Sequence, residues 1–167
     1  MSDPAPIRPA FDRIVALGSN LGDKAANIDR AIRLLTEEGD VRLLARSRDY
    51  ATEPWGKTDQ DRFVNAAIAV ATDLAPRDLL IRCKEIERRL GRVAREKWGP
   101  RIIDLDLLVY RDTALNDVDL VLPHPHIGAR AFVLAPLMDI ASDLVISGRS
   151  VRDMYATIDR SSVRPIE

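Results

Sequence analysis

Two aspartates one residue apart, Asp104 and Asp106, interrupt the apolar run RIIDLDLLV (Arg101 to Val109) and are the residues in this chain with the most chemistry to offer. If the run is a strand, alternate side chains share a face, and the two carboxylates project from it roughly 6–7 Å apart along the strand. Aspartate is depleted in strands, and two same-side carboxylates in apolar surroundings repel and lose hydration unless a cation neutralises them. A hard divalent ion does this well, and Mg²⁺ is commonly held by one or two carboxylates together with substrate phosphates. The competing reading is an edge strand with two solvated aspartates.

Just upstream, Arg88, Arg89, Arg92, Arg95, Lys97 and Arg101 face a single acid, Glu96. Guanidinium forks match phosphate oxygens bidentately, so a basic cluster beside a carboxylate pair suits a polyphosphate. Arg92 and Arg101 fit that role, whereas Arg88 and Arg89 fit the solvated last turn of a helix, where cations complement the C-terminus. Trp98, followed by Gly99 and Pro100, either swings over a bound ligand or packs its loop to the domain. Phe63 and Asn65 alternate onto one strand face, an aromatic plate beside an amide with both donor and acceptor. With Thr52, Trp55 and Phe132 they suit a flat heterocycle, although a strand phenylalanine also serves as plain core. Both histidines lie in Pro123-His124-Pro125-His126, too few ligands for a transition metal in a chain with one Cys, so single nucleotide contacts or a proline-held turn is the reading.

The elements that must position these residues follow from periodicity. Asp12 to Leu17 reads as a strand stopped by Gly18, Ser19 and Asn20, and Ile28, Ala31, Ile32 and Leu35 line one face of a helix ending near Gly39. Val41 to Ala51 is a strand, Thr52 to Arg62 a long loop, and Phe63 to Thr72 the next strand. Pro76 opens a second amphipathic helix, with Leu79, Cys83, Ile86 and Leu90 on its apolar face and Gly91 closing it. A second loop, Arg92 to Arg101, leads into the strongest strand, Ile102 to Tyr110. A hairpin around Asn116-Asp117, a Pro/His-rich turn and helical pieces beginning near Phe132 and Ser150 complete the chain. This order predicts an α+β, ferredoxin-like β-α-β-β-α-β sandwich, an antiparallel sheet with both helices on one face, plus a C-terminal hairpin and helical additions. The expected organisation is a disordered lead-in over 1–11, one domain over 12–160 and a tail over 161–167.

Composition narrows the classes. The chain has 167 residues, 25 Lys+Arg against 26 Asp+Glu, one Cys and 46% hydrophobic residues. A chain of that length buries roughly two-thirds of its unfolded surface and needs no staple. One Cys excludes a disulfide framework and a Cys-ligated zinc, and fits a cytoplasmic setting. A net charge of −1 argues against nucleic-acid binding through a whole-surface field. No apolar stretch approaches the ~18 residues of a membrane span, and the proline-rich N-terminus lacks the apolar core of a signal peptide. A soluble protein without nucleic-acid or membrane partners is expected.

Six fragments together carry a family resemblance: ALGSNLGD (Ala16 to Asp23), YATEPWG (Tyr50 to Gly56), DQDRFVNAA (Asp59 to Ala67), IERRLGR (Ile86 to Arg92), WGPRIIDLDLL (Trp98 to Leu108) and LPHPHIGARAFVLAPL (Leu122 to Leu137). In this order and spacing, from about Ile14 to Val145, the chain resembles the 6-hydroxymethyl-7,8-dihydropterin pyrophosphokinases of folate biosynthesis. The resemblance implies transfer of pyrophosphate from ATP to the pterin hydroxymethyl group, by attack on the β-phosphorus with release of AMP. It also implies two Mg²⁺ ions on Asp104 and Asp106, phosphate-directed Arg92 and Arg101, and a gating loop with Arg95 and Trp98. Thr52, Trp55, Phe63, Asn65, Asp104 and Phe132 then fall at the pterin. Glu87, Arg92, Trp98, Arg101, Leu107, His124 and Arg130 fall at the nucleotide, with Leu107 in the adenine pocket. No residue is an evident general base, which leaves Asp106 as the nearest acceptor for a metal-acidified hydroxyl. Lys84, Asp119 and Val121 stand where some members present other nucleotide contacts. The expected state is a monomer or weak homodimer.

The rival from another class is an RNA-binding module on the same fold, but the chain lacks the aromatic, glycine-containing strand motif such modules stack bases on, and two sheet carboxylates would repel RNA. A second rival, a structural or regulatory domain that kept the fold, does not account for Asp104, Asp106, Arg92 and Arg101 together.

Overall fold

The computed structural model describes residues 11–52, 62–91 and 102–166. In chain order it contains β1 (Arg13–Ser19), α1 (Lys24–Thr36), β2 (Val41–Arg46), β3 (Tyr50–Thr52), β4 (Phe63–Thr72), α2 (Pro76–Arg89) and β5 (Asp104–Tyr110). A hairpin of β6 (Leu115–Asn116) and β7 (Val121–Leu122) follows, then α3 (Ala131–Ala141), β8 (Val145–Ile146), β9 (Arg149–Ser150), α4 (Val151–Ala156) and β10 (Val163–Pro165). The Asp23 carboxylate caps α1 by accepting from the Ala26 N–H at 3.2 Å, and the predicted apolar face (Ile28, Ala31, Ile32, Leu35) is buried. Pro76 opens α2, and Gly91 follows its end at φ +91°, a conformation that favours glycine. Among the described residues no helix is long and apolar enough to cross a membrane.

The main sheet is antiparallel in the order β10-β3-β4-β1-β5, with β2 paired to β4 beside β3. Strand alternation splits its residues between two cores. Val15, Leu17, Ala66, Ile68, Leu105 and Leu107 face α1 and α2, where they meet Ile28, Leu35, Leu79 and Ile86. Ile14, Ala67, Ala69, Leu108 and Val109 face the other way, against Leu134 and Leu137 of α3 and Val151 and Met154 of α4. The architecture is therefore the predicted ferredoxin-like α+β sandwich, with its C-terminal helices forming a partial third layer on the face the two crossover helices leave open.

Three local readings change. The single strand expected over Val41 to Ala51 divides, because the five residues from Arg46 to Tyr50 stand opposite only the four from Asn65 to Ile68 on β4. At the break the buried Ser47 closes the ladder: its N–H donates to the Ala67 carbonyl, and its hydroxyl accepts from the Ala67 N–H, both at 2.9 Å. In β5 the register shifts between Ile14/Val109 and Val15/Leu107, and this bulge turns both Leu108 and Val109 toward α3, where strict alternation would separate them. The segment expected as a tail supplies β10, which pairs Val163 with Thr52 and Pro165 with Tyr50.

A polar clasp ties the third layer to the sheet. Asp139 of α3 accepts from the Arg48 backbone N–H at 3.0 Å, from the Arg48 guanidinium and from the Tyr50 hydroxyl at 2.9 Å. Burial and the Asp139 carboxylate push the Tyr50 phenol up to about 12. Burial alone would raise the Asp139 carboxyl, but the donors from Arg48 and Tyr50 outweigh it and hold it below the ordinary carboxylate value. Because the folded-state value is depressed, the clasp contributes its stability above the unfolded carboxyl value near 4 and loses it as pH falls through the folded one. Asp139→Ala is expected to lower stability by about 1–3 kcal/mol at pH 7. The deficit should shrink below pH 4, as read by urea unfolding at both pH values.

Candidate functional site

Register collects the chemistry on one sheet face. Tyr50 pairs with Asn65, Asn65 with Gly18 and Gly18 with Asp104, so one row crosses β3, β4, β1 and β5. Neighbouring rows pair Thr52 with Phe63, and Ala67 with Ala16 and Ala16 with Asp106. Thr52, Phe63, Asn65, Asp104 and Asp106 therefore share the face opposite α1 and α2. The Asn65 Nδ2 donates to the buried Thr52 Oγ1 at 2.7 Å, which orients the amide. Phe132 stands in the first turn of α3, over this same face, with the Arg130 guanidinium 5.6 Å from its ring centre. An aromatic plate, an oriented amide and a carboxylate pair thus share one surface floored by the small residues Ala16 and Gly18.

Electrostatics at the carboxylates match their placement. Burial, then the negative Asp104 beside it, push the Asp106 carboxyl up to about 7, with Lys84 and Arg130 opposing and Glu87 adding to the rise. Among the described residues no three His, Cys, Asp or Glu side chains converge as a metal cluster. Two carboxylates held together in a partly buried setting, short of a full protein cage, fit Mg²⁺, which takes its remaining oxygens from phosphate and water. On the helix side of β5, the buried Glu87 of α2 accepts from the Leu105 N–H at 2.9 Å and lies 3.4 Å from the Lys84 ammonium. A side chain thereby takes the place of a further strand at the end of the sheet.

Beyond β5 a cleft of ≈ 370 Å³ opens between α2 and the β6–β7 hairpin. Leu80, Leu107, Val118 and Leu120 give it apolar walls, and Lys84, Asp106, His124 and Arg130 bring polar groups to it. The volume lies in the range that takes small ligands. Arg77, in the first turn of α2, holds the hairpin through Asp119 at 2.8 Å and through Asp117. The chain after β7 returns to the sheet, where the His124 N–H donates to the Leu108 carbonyl at 2.8 Å. Burial, then Arg130 and His126, push His124 down to about 4, so its ring is neutral near pH 7. Asp106 belongs to both regions, so the flat sheet-face site and the edge cleft meet at the carboxylates.

Of the residues singled out from the sequence, the structure thus brings Thr52, Phe63, Asn65, Asp104, Asp106 and Phe132 to the face, and Leu107, His124 and Arg130 to the cleft. Glu87 is buried beside it. Trp55, Arg92, Arg95, Trp98 and Arg101 lie outside the described residues. Sequence reasoning missed the floor, Ala16 and Gly18, for which the signal was small residues alternating with Val15 and Leu17. It also missed Leu80, Val118 and Leu120, which come together only when the hairpin folds back on α2.

Comparison with known proteins gives a consistent picture. Residues 14–142 match the family model described as 7,8-dihydro-6-hydroxymethylpterin-pyrophosphokinase. A protein of Methylorubrum extorquens named 2-amino-4-hydroxy-6-hydroxymethyldihydropteridine pyrophosphokinase is 50% identical over 153 residues, 92% of this chain and 97% of that protein. Proteins of the same name from Pseudomonas aeruginosa and Bacillus subtilis are 44% and 39% identical, covering 85% and 78% of this chain and 88% and 78% of those proteins. Among solved structures, the Plasmodium falciparum HPPK-DHPS wild type with pteroate superposes with a TM-score of 0.68 at 16% identity, which shows the shared fold. The match covers 86% of this chain and 41% of that longer one.

The raised Asp106 carboxyl generates a test in the metal-free protein. For an acid whose folded-state value is raised, the destabilisation is full above that value and is relieved as pH falls through it toward the unfolded one. Asp106→Asn is therefore expected to raise the melting temperature at pH 8, on the order of 5 °C. The gain should diminish toward pH 5; an equal or lower melting temperature at pH 8 would mean that the carboxylate is not strained.

Proposed function

Because the chain belongs to the 7,8-dihydro-6-hydroxymethylpterin-pyrophosphokinase family and is thus a pyrophosphokinase of folate synthesis, we propose that it transfers the pyrophosphoryl group of ATP, with Mg²⁺, to the hydroxymethyl oxygen of 6-hydroxymethyl-7,8-dihydropterin and releases AMP. The observation that carries this reading is the meeting of two differently built sites at one carboxylate pair: a flat face with an aromatic plate and an oriented amide, and a cleft at the sheet edge with apolar walls and basic groups. A two-substrate transfer requires such adjacency, because the reacting atoms must come within about 3–3.5 Å of one another.

On the face, the Asn65 amide, anchored by Thr52, recognises the donor and acceptor edge of the pterin, and Phe63 and Phe132 cover its rings, with Trp55 completing the pocket. In the cleft, Leu80, Leu107, Val118 and Leu120 take the adenine, while His124 and Arg130 serve the polar part of the nucleotide. His124, neutral near pH 7, acts there as a hydrogen-bonding group and not as an acid. Arg92 and Arg101 meet the charge that develops on the transferred group. Asp104 and Asp106 would hold two Mg²⁺ ions, whose contribution when bound is neutralisation and alignment of the phosphate and hydroxyl oxygens. The hydroxymethyl oxygen bonds to the β-phosphorus as the bond to the α-phosphate oxygen breaks, and AMP carries that oxygen away. Asp106 is the nearest protein acceptor for the hydroxyl proton. The protein works in the cytoplasm, as a monomer or weak homodimer.

The test is formation of AMP from ATP and Mg²⁺ with and without the dihydropterin. AMP and a pterin diphosphate should appear only with pterin and an intact Asp104/Asp106 pair, and the Asp104→Ala/Asp106→Ala variant should be inactive while remaining folded. ADP as product would mean γ-phosphoryl transfer and defeat the reading. Arg101→Ala should lower turnover by about 10²–10³; an unchanged rate would return that arginine to the solvated surface.

A further inference from the structure

We propose that Gly18 is a positioning residue for acceptor recognition: its missing side chain leaves room for the Asn65 amide to lie across β1 in the pose Thr52 anchors, and the proposal rests on the reading that Asn65 faces the pterin. Gly18 is inside a strand, paired on one side with Asn65 and on the other with Asp104. It is not among the positive-φ residues, so its backbone does not call for glycine. Glycine weakens a strand interior, and there it often marks a point of close approach. Here the approach is specific. A Cβ on Gly18 would stand 2.7 Å from Asn65 Oδ1, nearer than real Cβ atoms come, while the next contacts are relaxed at 3.8 Å to Asn65 Cγ and 4.0 Å to Phe63 Cδ1. The amide is thus held at its nitrogen by Thr52 Oγ1 at 2.7 Å and occupies with its oxygen the space a side chain at position 18 would fill.

Three consequences follow from that geometry. An alanine at position 18 must turn the Asn65 amide, which breaks its bond to Thr52 and misaligns the edge offered to the heterocycle. The strand should persist, since alanine suits it at least as well as glycine. The nucleotide cleft, built from α2, β5 and the hairpin, contains neither Gly18 nor Asn65 and is untouched.

The experiment combines steady-state kinetics with NMR of the metal-free protein, the Asn65 side-chain amide resonances being identified by their loss in Asn65→Ala. Gly18→Ala is expected to move those resonances and to raise the KM for the dihydropterin at least tenfold, with the KM for ATP within twofold. In the Asn65→Ala background, Gly18→Ala should add nothing. Thr52→Val, which removes the anchor without adding bulk, should reproduce the pterin defect and keeps the proposal testable if Gly18→Ala does not fold. Unmoved Asn65 resonances in Gly18→Ala, a full Gly18→Ala penalty persisting without Asn65, or a normal pterin KM in Thr52→Val would each overturn it. If the wild-type protein does not turn over the dihydropterin, the functional reading fails on its own, and the resonances alone decide whether Gly18 sets the amide.

Discussion

Side chains on a strand alternate, and the antiparallel register of β1 with β4 and β5 applies that alternation to three strands at once. Val15 and Leu17, Ala66 and Ile68, Leu105 and Leu107 therefore turn together toward α1 and α2, and Ala16 and Gly18, Asn65 and Ala67, Asp104 and Asp106 turn together away from them. A slip of one residue would bury both carboxylates under two helices and expose the apolar set, so the core and the site specify the same register. Each helps to exclude the alternatives to the other.

The polar face is costly to keep. Asp106 is partly buried next to a second carboxylate and has its carboxyl pushed up to about 7, a destabilising arrangement that fits the metal-holding role proposed for it. Glu87, buried beneath the same strand, is the opposite case. Its carboxylate is engaged with the Leu105 N–H and lies beside Lys84, and it closes an edge that would otherwise expose an unpaired donor. Three acidic groups around one strand thus have different tasks, set by which donors and cations stand within reach.

The C-terminal third of the chain covers part of the open face of the sandwich and walls a cleft beside it. α3 brings Phe132 over the face and is clasped to β3 through Asp139, Arg48 and Tyr50, the last being the cross-strand partner of Asn65. The hairpin, fastened to α2 by Arg77, walls the edge cleft. The two sites touch at Asp106 because β5 is both the last strand of the face and the first wall of the cleft.

The sequence by itself determined the element order, the two amphipathic helices and the same-side aspartates, because these depend on periods of 3.6 and 2 that act over a few residues. It also carried the motifs that mark the family. Tertiary structure alone decided what depends on one strand meeting another. The extra residue before Tyr50 splits a strand only when measured against β4, and the Leu108 bulge turns two neighbours to one core only when β1 sets the register. Val163–Pro165 becomes an edge strand only because β3 offers it unpaired backbone. Gly18 likewise looks like the end of a strand in the sequence. Its role follows from the Asn65 amide, 47 residues further along the chain, which comes to rest where its side chain would have been.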